Sequence, residues 1–194
     1  RFLRAQPTLD VRLDTTFARR DLAREGIDLA IRYTTAAQAQ GTPLFGEEVM
    51  PVCSPALLAS DRPLARPADL ANHTLLRLAS DAGGNAMLEF DPWLESMGVP
   101  GLQPASTLSF SQYDDVVRAA VHGQGVAMGR LPLVAELMRA GQLVAPFAGR
   151  MASPRGYFIV RAEGVVADAP VRDFERWLLE EAQCDTTAPP PERP

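Results

Sequence analysis

The chain has 194 residues, 46% hydrophobic and 22% charged, enough apolar material for one large domain or two small lobes. A net charge of -5 leaves no basic footprint for gripping a phosphate backbone, so this stretch is not read as the part of a protein that touches nucleic acid. Cys53 and Cys184 are too few for a disulfide framework and read as free thiols. No apolar run nears the roughly 18 residues of a membrane span, and RFLRAQPTLD has no secretion-signal core, so a soluble, cytoplasmic protein is expected.

Seventeen prolines and fourteen glycines, spread along the chain, predict many short elements and favour an α/β layout over a helical bundle. RFLRAQP reads as the end of a helix that begins before Arg1. Leu9, Val11 and Leu13 then alternate with polar residues, the period-2 signature of a strand. Asp14, Thr15 and Thr16 are placed to cap a helix from Phe17 to Glu25, because a short side-chain oxygen satisfies free N–H groups of a first turn. Gly26 stops that helix, and Ile27 to Ile31 is the next strand. Strand, helix and strand in this order imply parallel pairing with a right-handed crossover.

Thr34 to Gly41 is a polar loop. PLFGEEVMPVCSPALL is extended but broken by Gly46 and Pro51, too irregular for one central strand, and is expected to pass from one lobe into another. Short helical turns follow at Pro55 to Leu58 and Pro67 to Leu70, each opened by proline, and then a strand to Leu78 from His73. DAGGN reads as a surface turn. Pro92 to Met97 is a helix closed by Gly98. Leu108 to Phe110 is a strand, and Ser111 opens a helix whose stripe of Val117, Ala120 and Val121 ends at Gly123.

Gly125 to Gly129 is a small-residue strand, and Pro132 to Arg139 a helix with Leu133, Val134, Leu137 and Met138 on one face. Leu143 to Pro146 and Tyr157 to Val160 are strands, the second returning the chain to the first lobe. Asp168 caps a last helix with Val171, Phe174 and Leu178 as its buried stripe. The tail, from Asp185 onward, is disordered by composition.

Catalysis finds little to work with. A nucleophile needs a base beside it, and His73 and His122 are the available imidazoles. His73 opens a strand and His122 ends a helix, where exposed carbonyls favour a cation, so both read as structural. No elbow motif surrounds Cys53 or any serine, and no paired Cys or His spacing suits zinc. The glycines of GQGVAMG precede a strand instead of following one, so they form no phosphate loop. No metal, no cofactor and no enzyme activity is predicted.

Binding is what remains. Thr15 and Thr16 at one helix start, and Ser111 at another, offer free N–H groups to an anion, although plain capping also accounts for any single one. Arg32 and Tyr33 fall where the strand Ile27 to Ile31 ends, and parallel sheets place ligands at the carboxyl ends of their strands. An arginine there grips a carboxylate through two parallel hydrogen bonds. In a purely structural reading, Arg32 pairs with Asp28 or Glu25.

DVRLDTTFARRDLAREGIDLAIRY, PLFGEEVMPVCSPALL, PADLANHTLLRL, LSFSQYDDVVRAAVHGQGVAMGRLPLVAELMRAGQLVAPF and the closing YFIV with VRDFERWLL occur in this order. Together they resemble the effector-binding domain of LysR-type transcriptional regulators, in the branch typified by the activator of the glycine cleavage system. The resemblance implies an α/β fold of two Rossmann-like lobes joined by two crossing strands, of the periplasmic-binding-protein-like type 2 class. It places lobe one at residues 1–49 plus 161–182 and lobe two at 50–160, which leaves 183–194 as the tail that composition makes disordered.

It also implies a small-molecule effector in the cleft between lobes, homodimers or tetramers whose packing the effector biases, and DNA bound through an N-terminal winged helix-turn-helix outside this chain. The family's first strand is expected to precede Arg1. Carried over by position, Thr15, Thr16, Arg32, Tyr33, Phe110 and Ser111 match places where family members touch effector. A solute-binding protein of a transport system shares this fold and is the alternative, disfavoured by the cysteines and by the missing secretion signal.

Overall fold

The computed structural model describes residues 1–16, 18–79, 90–162 and 168–186, with side chains through residue 183. Its elements begin with α1 (Phe2–Ala5), α2 (Leu22–Glu25), β1 (Leu29–Thr35), β2 (Thr42–Val52), α3 (Pro55–Leu58), a 3-10 turn (Pro67–Asn72) and β3 (Thr74–Leu78). They continue with α4 (Phe90–Ser96), β4 (Ser106–Phe110), α5 (Tyr113–Val121), β5 (Val126–Leu131), α6 (Ala135–Arg139), β6 (Met151–Arg161) and α7 (Ala169–Thr186). The chain divides into two units. One holds Arg1–Gly46 and the chain from Pro154 through α7; the other is Glu47–Ser153. The long strands β2 and β6 each carry the chain from one unit into the other.

In the second unit, β2 runs antiparallel to β5, and β5, β3 and β4 are parallel. Successive strand residues point to opposite faces, so the continuous apolar runs here divide into two sets. Val49, Leu75, Val126 and Met128 join Phe90, Trp93 and Leu94 of α4 in one buried cluster. Met50, Val52, Leu76 and Ala127 join Val116, Ala119 and Ala120 of α5, with Val134 and Met138, in the other. The sheet is covered on both sides. Two glycines make room for it: a Cβ on Gly125 would lie 2.4 Å from the Thr74 carbonyl oxygen, and one on Gly129 2.6 Å from a Val52 methyl. His73 is buried, with Nε2 3.2 Å from the Pro63 carbonyl oxygen, in the structural role expected of it.

In the first unit, β1 pairs antiparallel with β6, setting Ile31 opposite Ile159 and Tyr33 opposite Tyr157. Asp21 caps α2 by accepting from the Arg24 N–H at 3.1 Å. Gly26 closes it in the left-handed region at φ 63, while Ile27 donates back to the Leu22 carbonyl at 2.9 Å. Asp168 caps α7 as expected, its Oδ1 3.1 Å from the Val171 nitrogen. The α7 rings of Phe174 and Trp177 pack on Phe2, with centroids 5.0 and 5.4 Å away, and Arg1 pairs with Glu181 at 2.6 Å.

Several expectations fail in instructive ways. Leu9 to Leu13 forms no strand, and the helix expected from Phe17 shrinks to Leu22–Glu25, so Asp14, Thr15 and Thr16 do not stand at its start; Phe17 itself lies outside the described residues. An alternating pattern needs a partner strand, and no described strand pairs with this one. Without it the described residues before β2 form no parallel strand, helix, strand unit, and β1 pairs antiparallel instead. That strand also runs on to Thr35, leaving Arg32 and Tyr33 in its middle and Ile31 48% exposed.

β2 is one strand of 11 residues through both Gly46 and Pro51. The complete burial of Val49 and Val52 outweighs the one donor that Pro51 removes. Leu143 to Pro146 contributes a single bridge, Val144 to Cys53, and Leu133 is 47% exposed rather than part of a buried face. α7 continues to Thr186, which places 183–186 of the expected tail in a helix; DAGGN and residues 187–194 lie outside the described residues. Among the described residues no helix is long and apolar enough to cross a membrane.

Candidate ligand-binding site

In the first unit, Thr15 and Thr16 are exposed on irregular chain, and Thr16 Oγ1 accepts from the Ala18 N–H at 3.1 Å. Next to them Arg20 bridges Asp14, at 3.3 Å, and Glu25. Its hydrogen bond and charge contact with Glu25, helped by Asp14, push the guanidinium's pKa further up. Arg32 donates from Nη2 to the Arg20 carbonyl oxygen at 3.1 Å. Glu25 pairs with Arg20, and among the described residues Arg32 forms no ion pair; its bond goes to a backbone oxygen.

Arg32 and Tyr33 are adjacent in a strand, so their side chains leave opposite faces of β1. Arg32 shares its register position with Phe158, and Tyr33 with Tyr157. The Tyr33 ring lies 5.0 Å from that of Tyr157, which lies 4.6 Å from Phe45, and the Arg155 guanidinium sits 5.7 Å above Tyr33. This half-buried aromatic group with its cation went unpredicted. The strand alternation of Tyr33 was readable, but its neighbours come from β2 and β6, far away in sequence.

In the second unit, Phe110 ends β4, and its carbonyl accepts from the Ala79 N–H at 2.6 Å. Ser111 is exposed one residue before Gln112, which takes the cap position of α5 without a side-chain cap bond. Ser111 thus precedes the helix start instead of forming it.

Behind it lies a feature that the sequence reading missed. Arg130 Nε is 2.6 Å from Glu47 Oε1, with 8% and 0% of the two side chains exposed. The same guanidinium lies 5.1 Å over the Tyr113 ring, and the Tyr113 hydroxyl donates to the Met128 carbonyl at 3.1 Å. An arginine closing the small apolar run GVAMG was the visible signal, but its partner Glu47 is 83 positions away. No group of three or more metal-ligating side chains occurs among the described residues.

The family model for the LysR substrate binding domain matches residues 1–183. The chain belongs to this LysR family. Relatives include the Glycine cleavage system transcriptional activator of Escherichia coli strain K12, 30% identical over 186 residues. That match covers 95% of this chain and 59% of the relative. The HTH-type transcriptional activator AmpR of Rhodobacter capsulatus is 31% identical over 179 residues, 91% of this chain and 58% of that protein.

Among solved structures, the effector domain of the transcriptional regulator AmpR of Pseudomonas aeruginosa aligns with a TM-score of 0.74 at 29% identity. It covers 95% of this chain and 86% of that one. The AmpR effector binding domain from Citrobacter freundii also reaches 0.74, at 27% identity, over 94% and 88% of the two chains. The fold is accordingly the two-lobed α/β type of LysR effector-binding domains, periplasmic-binding-protein-like, as the resemblance implied. This LysR-family chain spans about three-fifths of its curated relatives, 59% of the first.

Proposed function

We propose that this chain is the ligand-sensing and self-associating domain of a cytoplasmic LysR-type transcriptional regulator, and that it binds a small carboxylate-bearing effector. The observation that carries this reading is the family match over residues 1–183, on a chain whose two units are joined by two crossing strands. In this reading the protein binds its effector without turning it over. It pairs as a homodimer or tetramer and meets DNA through a winged helix-turn-helix that lies outside this chain.

Arg32 is the carboxylate partner in the first unit, since it bonds a backbone oxygen and forms no ion pair among the described residues. Tyr33 contributes a ring and a hydroxyl, and Thr15 and Thr16 lie in the same unit. Phe110 and Ser111 supply an apolar edge and a hydroxyl in the second. A transport solute-binding role is the weaker reading, because the relatives are named as transcriptional activators.

A thermal-shift screen of amino acids and small organic acids tests the proposal. A true effector at a hundred times its dissociation constant adds about 2.7 kcal/mol of stability. Arg32→Ala should abolish the shift for carboxylates and Thr16→Val should reduce it, at unchanged melting temperature of the free protein. A screen in which no carboxylate raises the melting temperature defeats the proposal, and equal shifts in Arg32→Ala remove Arg32 from the site.

A further inference from the structure

We propose that Arg130 is a positioning residue: held by Glu47 and set over the Tyr113 ring, it fixes the start of α5 and with it the place of Ser111. The proposal rests on the functional reading above only for what Ser111 touches. The placement itself stands on geometry.

Gln112 makes no side-chain cap bond, so the first turn of α5 lacks the usual device that pins a helix start. Tyr113, the first residue of that helix, supplies an anchor instead. Its hydroxyl reaches the Met128 carbonyl of β5 at 3.1 Å, and its ring lies 5.1 Å beneath the Arg130 guanidinium. A guanidinium is planar and stacks on an aromatic face, which the round ammonium of lysine does not do.

Glu47 completes the arrangement, because its Oε1, 2.6 Å from Nε, ties the guanidinium down at its Nε edge. Ser111 stands two residues before Tyr113. On its other side, Phe110 is tied by the Ala79 N–H to its carbonyl at 2.6 Å. Ser111 is therefore held between a strand end and a helix start, and Arg130 governs the second.

Stability alone is a poor reason for such a pair. Replacing a buried ion pair by apolar side chains of similar size is often neutral or stabilising, whereas removing one partner is strongly destabilising. That difference separates placement from stability. In the 194-residue chain, two variants are compared with the parent: Arg130→Lys, which keeps a charge opposite Glu47 and loses the planar guanidinium over the ring, and the double variant Glu47→Leu, Arg130→Met, which removes both charges.

Two signals are read by NMR. One is hydrogen exchange at the Val116 amide, whose acceptor is the Gln112 carbonyl next to Ser111. The other is the Tyr113 resonance in protein labelled with 3-fluorotyrosine, where three tyrosines keep the spectrum assignable. Exchange at Val116 should quicken about tenfold or more in both variants relative to Leu76 and Ala127 in the sheet, and the Tyr113 line should broaden.

Unchanged exchange in both variants overturns the proposal. So does exchange that rises equally across β3 and β5, since Arg130 would then be an ordinary part of the core. If the double variant fails to fold, Arg130→Lys decides alone by the same criterion. A thermal-shift screen that finds no carboxylate removes the functional reading and leaves this result standing.

Discussion

The two units of the chain draw on the same kinds of residue and reach different depths of burial. In Glu47–Ser153, strand residues on both faces of the sheet disappear from solvent: Val49, Met50, Leu75, Leu76, Val126 and Ala127 are each exposed by 2% or less. In the first unit, the alternating Leu9 to Leu13 stays irregular, with Leu13 83% exposed, and Ile31 on the edge strand β1 is 48% exposed. Leu9, Val11 and Leu13 would suit a strand as well as Leu75 and Leu76 do. What differs is the neighbours: β3 lies between β4 and β5 and is covered by helices, whereas Leu9 to Leu13 has no paired strand among the described residues. An extended segment gains its free energy from cross-strand partners and burial, not from its own pattern.

The sharpest way to test this contrast is to hollow out the deeper unit. Trp93 is fully buried, and Trp93→Ala should cost about 3–5 kcal/mol in urea unfolding. Phe2→Ala probes the shallower unit. Phe2 is 8% exposed and touches two rings of α7, so its loss should cost about 2–3 kcal/mol and should raise hydrogen exchange in α7 while leaving β3 protected. A Phe2→Ala cost matching that of Trp93→Ala would dissolve the distinction.

A smaller effect should appear with pH. Hydrogen bonds from the backbone N–H groups of Arg66 and Ala65, aided by the Arg66 side chain, hold the Asp69 carboxyl below its ordinary value of 3.8. A carboxyl depressed by folding contributes stability above its unfolded pKa, and that contribution is lost as pH falls through the folded value. Asp69→Asn should therefore flatten the fall in unfolding midpoint below pH 3.8, with little change in the slope near neutrality. The smallest effect belongs to Leu13→Ser, which should move the unfolding free energy by no more than about 0.5 kcal/mol, because Leu13 touches little. A large loss there would mean that the alternating segment is packed after all.

The candidate residues divide along the same line. Phe110 ends β4 as its sequence context implied, and Ser111 falls one residue short of the helix start expected of it, with Gln112 at the cap position of α5. Thr15 and Thr16 do not stand at a helix start, because the capping role they were suited to went to Asp21, six and five residues later. Arg32 and Tyr33 proved to be mid-strand and on opposite faces, which no count of residues from Gly26 reveals without knowing how far β1 extends. The aromatic group around Tyr157 and the buried pair of Glu47 and Arg130 were illegible, since each joins strands brought together by tertiary pairing.

Sequence by itself determined the local decisions, which depend on residues a few positions apart: the left-handed stop at Gly26, the prolines opening Pro55–Leu58 and Pro67–Asn72, the Asp168 cap, and the ordered motifs that mark the LysR family. Tertiary structure decided which alternating segments became strands, that β2 runs unbroken through Pro51, and that Glu47 meets Arg130 over the Tyr113 ring. The physical reason is distance along the chain. Caps and stops draw on bonds within one helical turn, while strands and buried charges are stable only against partners that folding itself brings near.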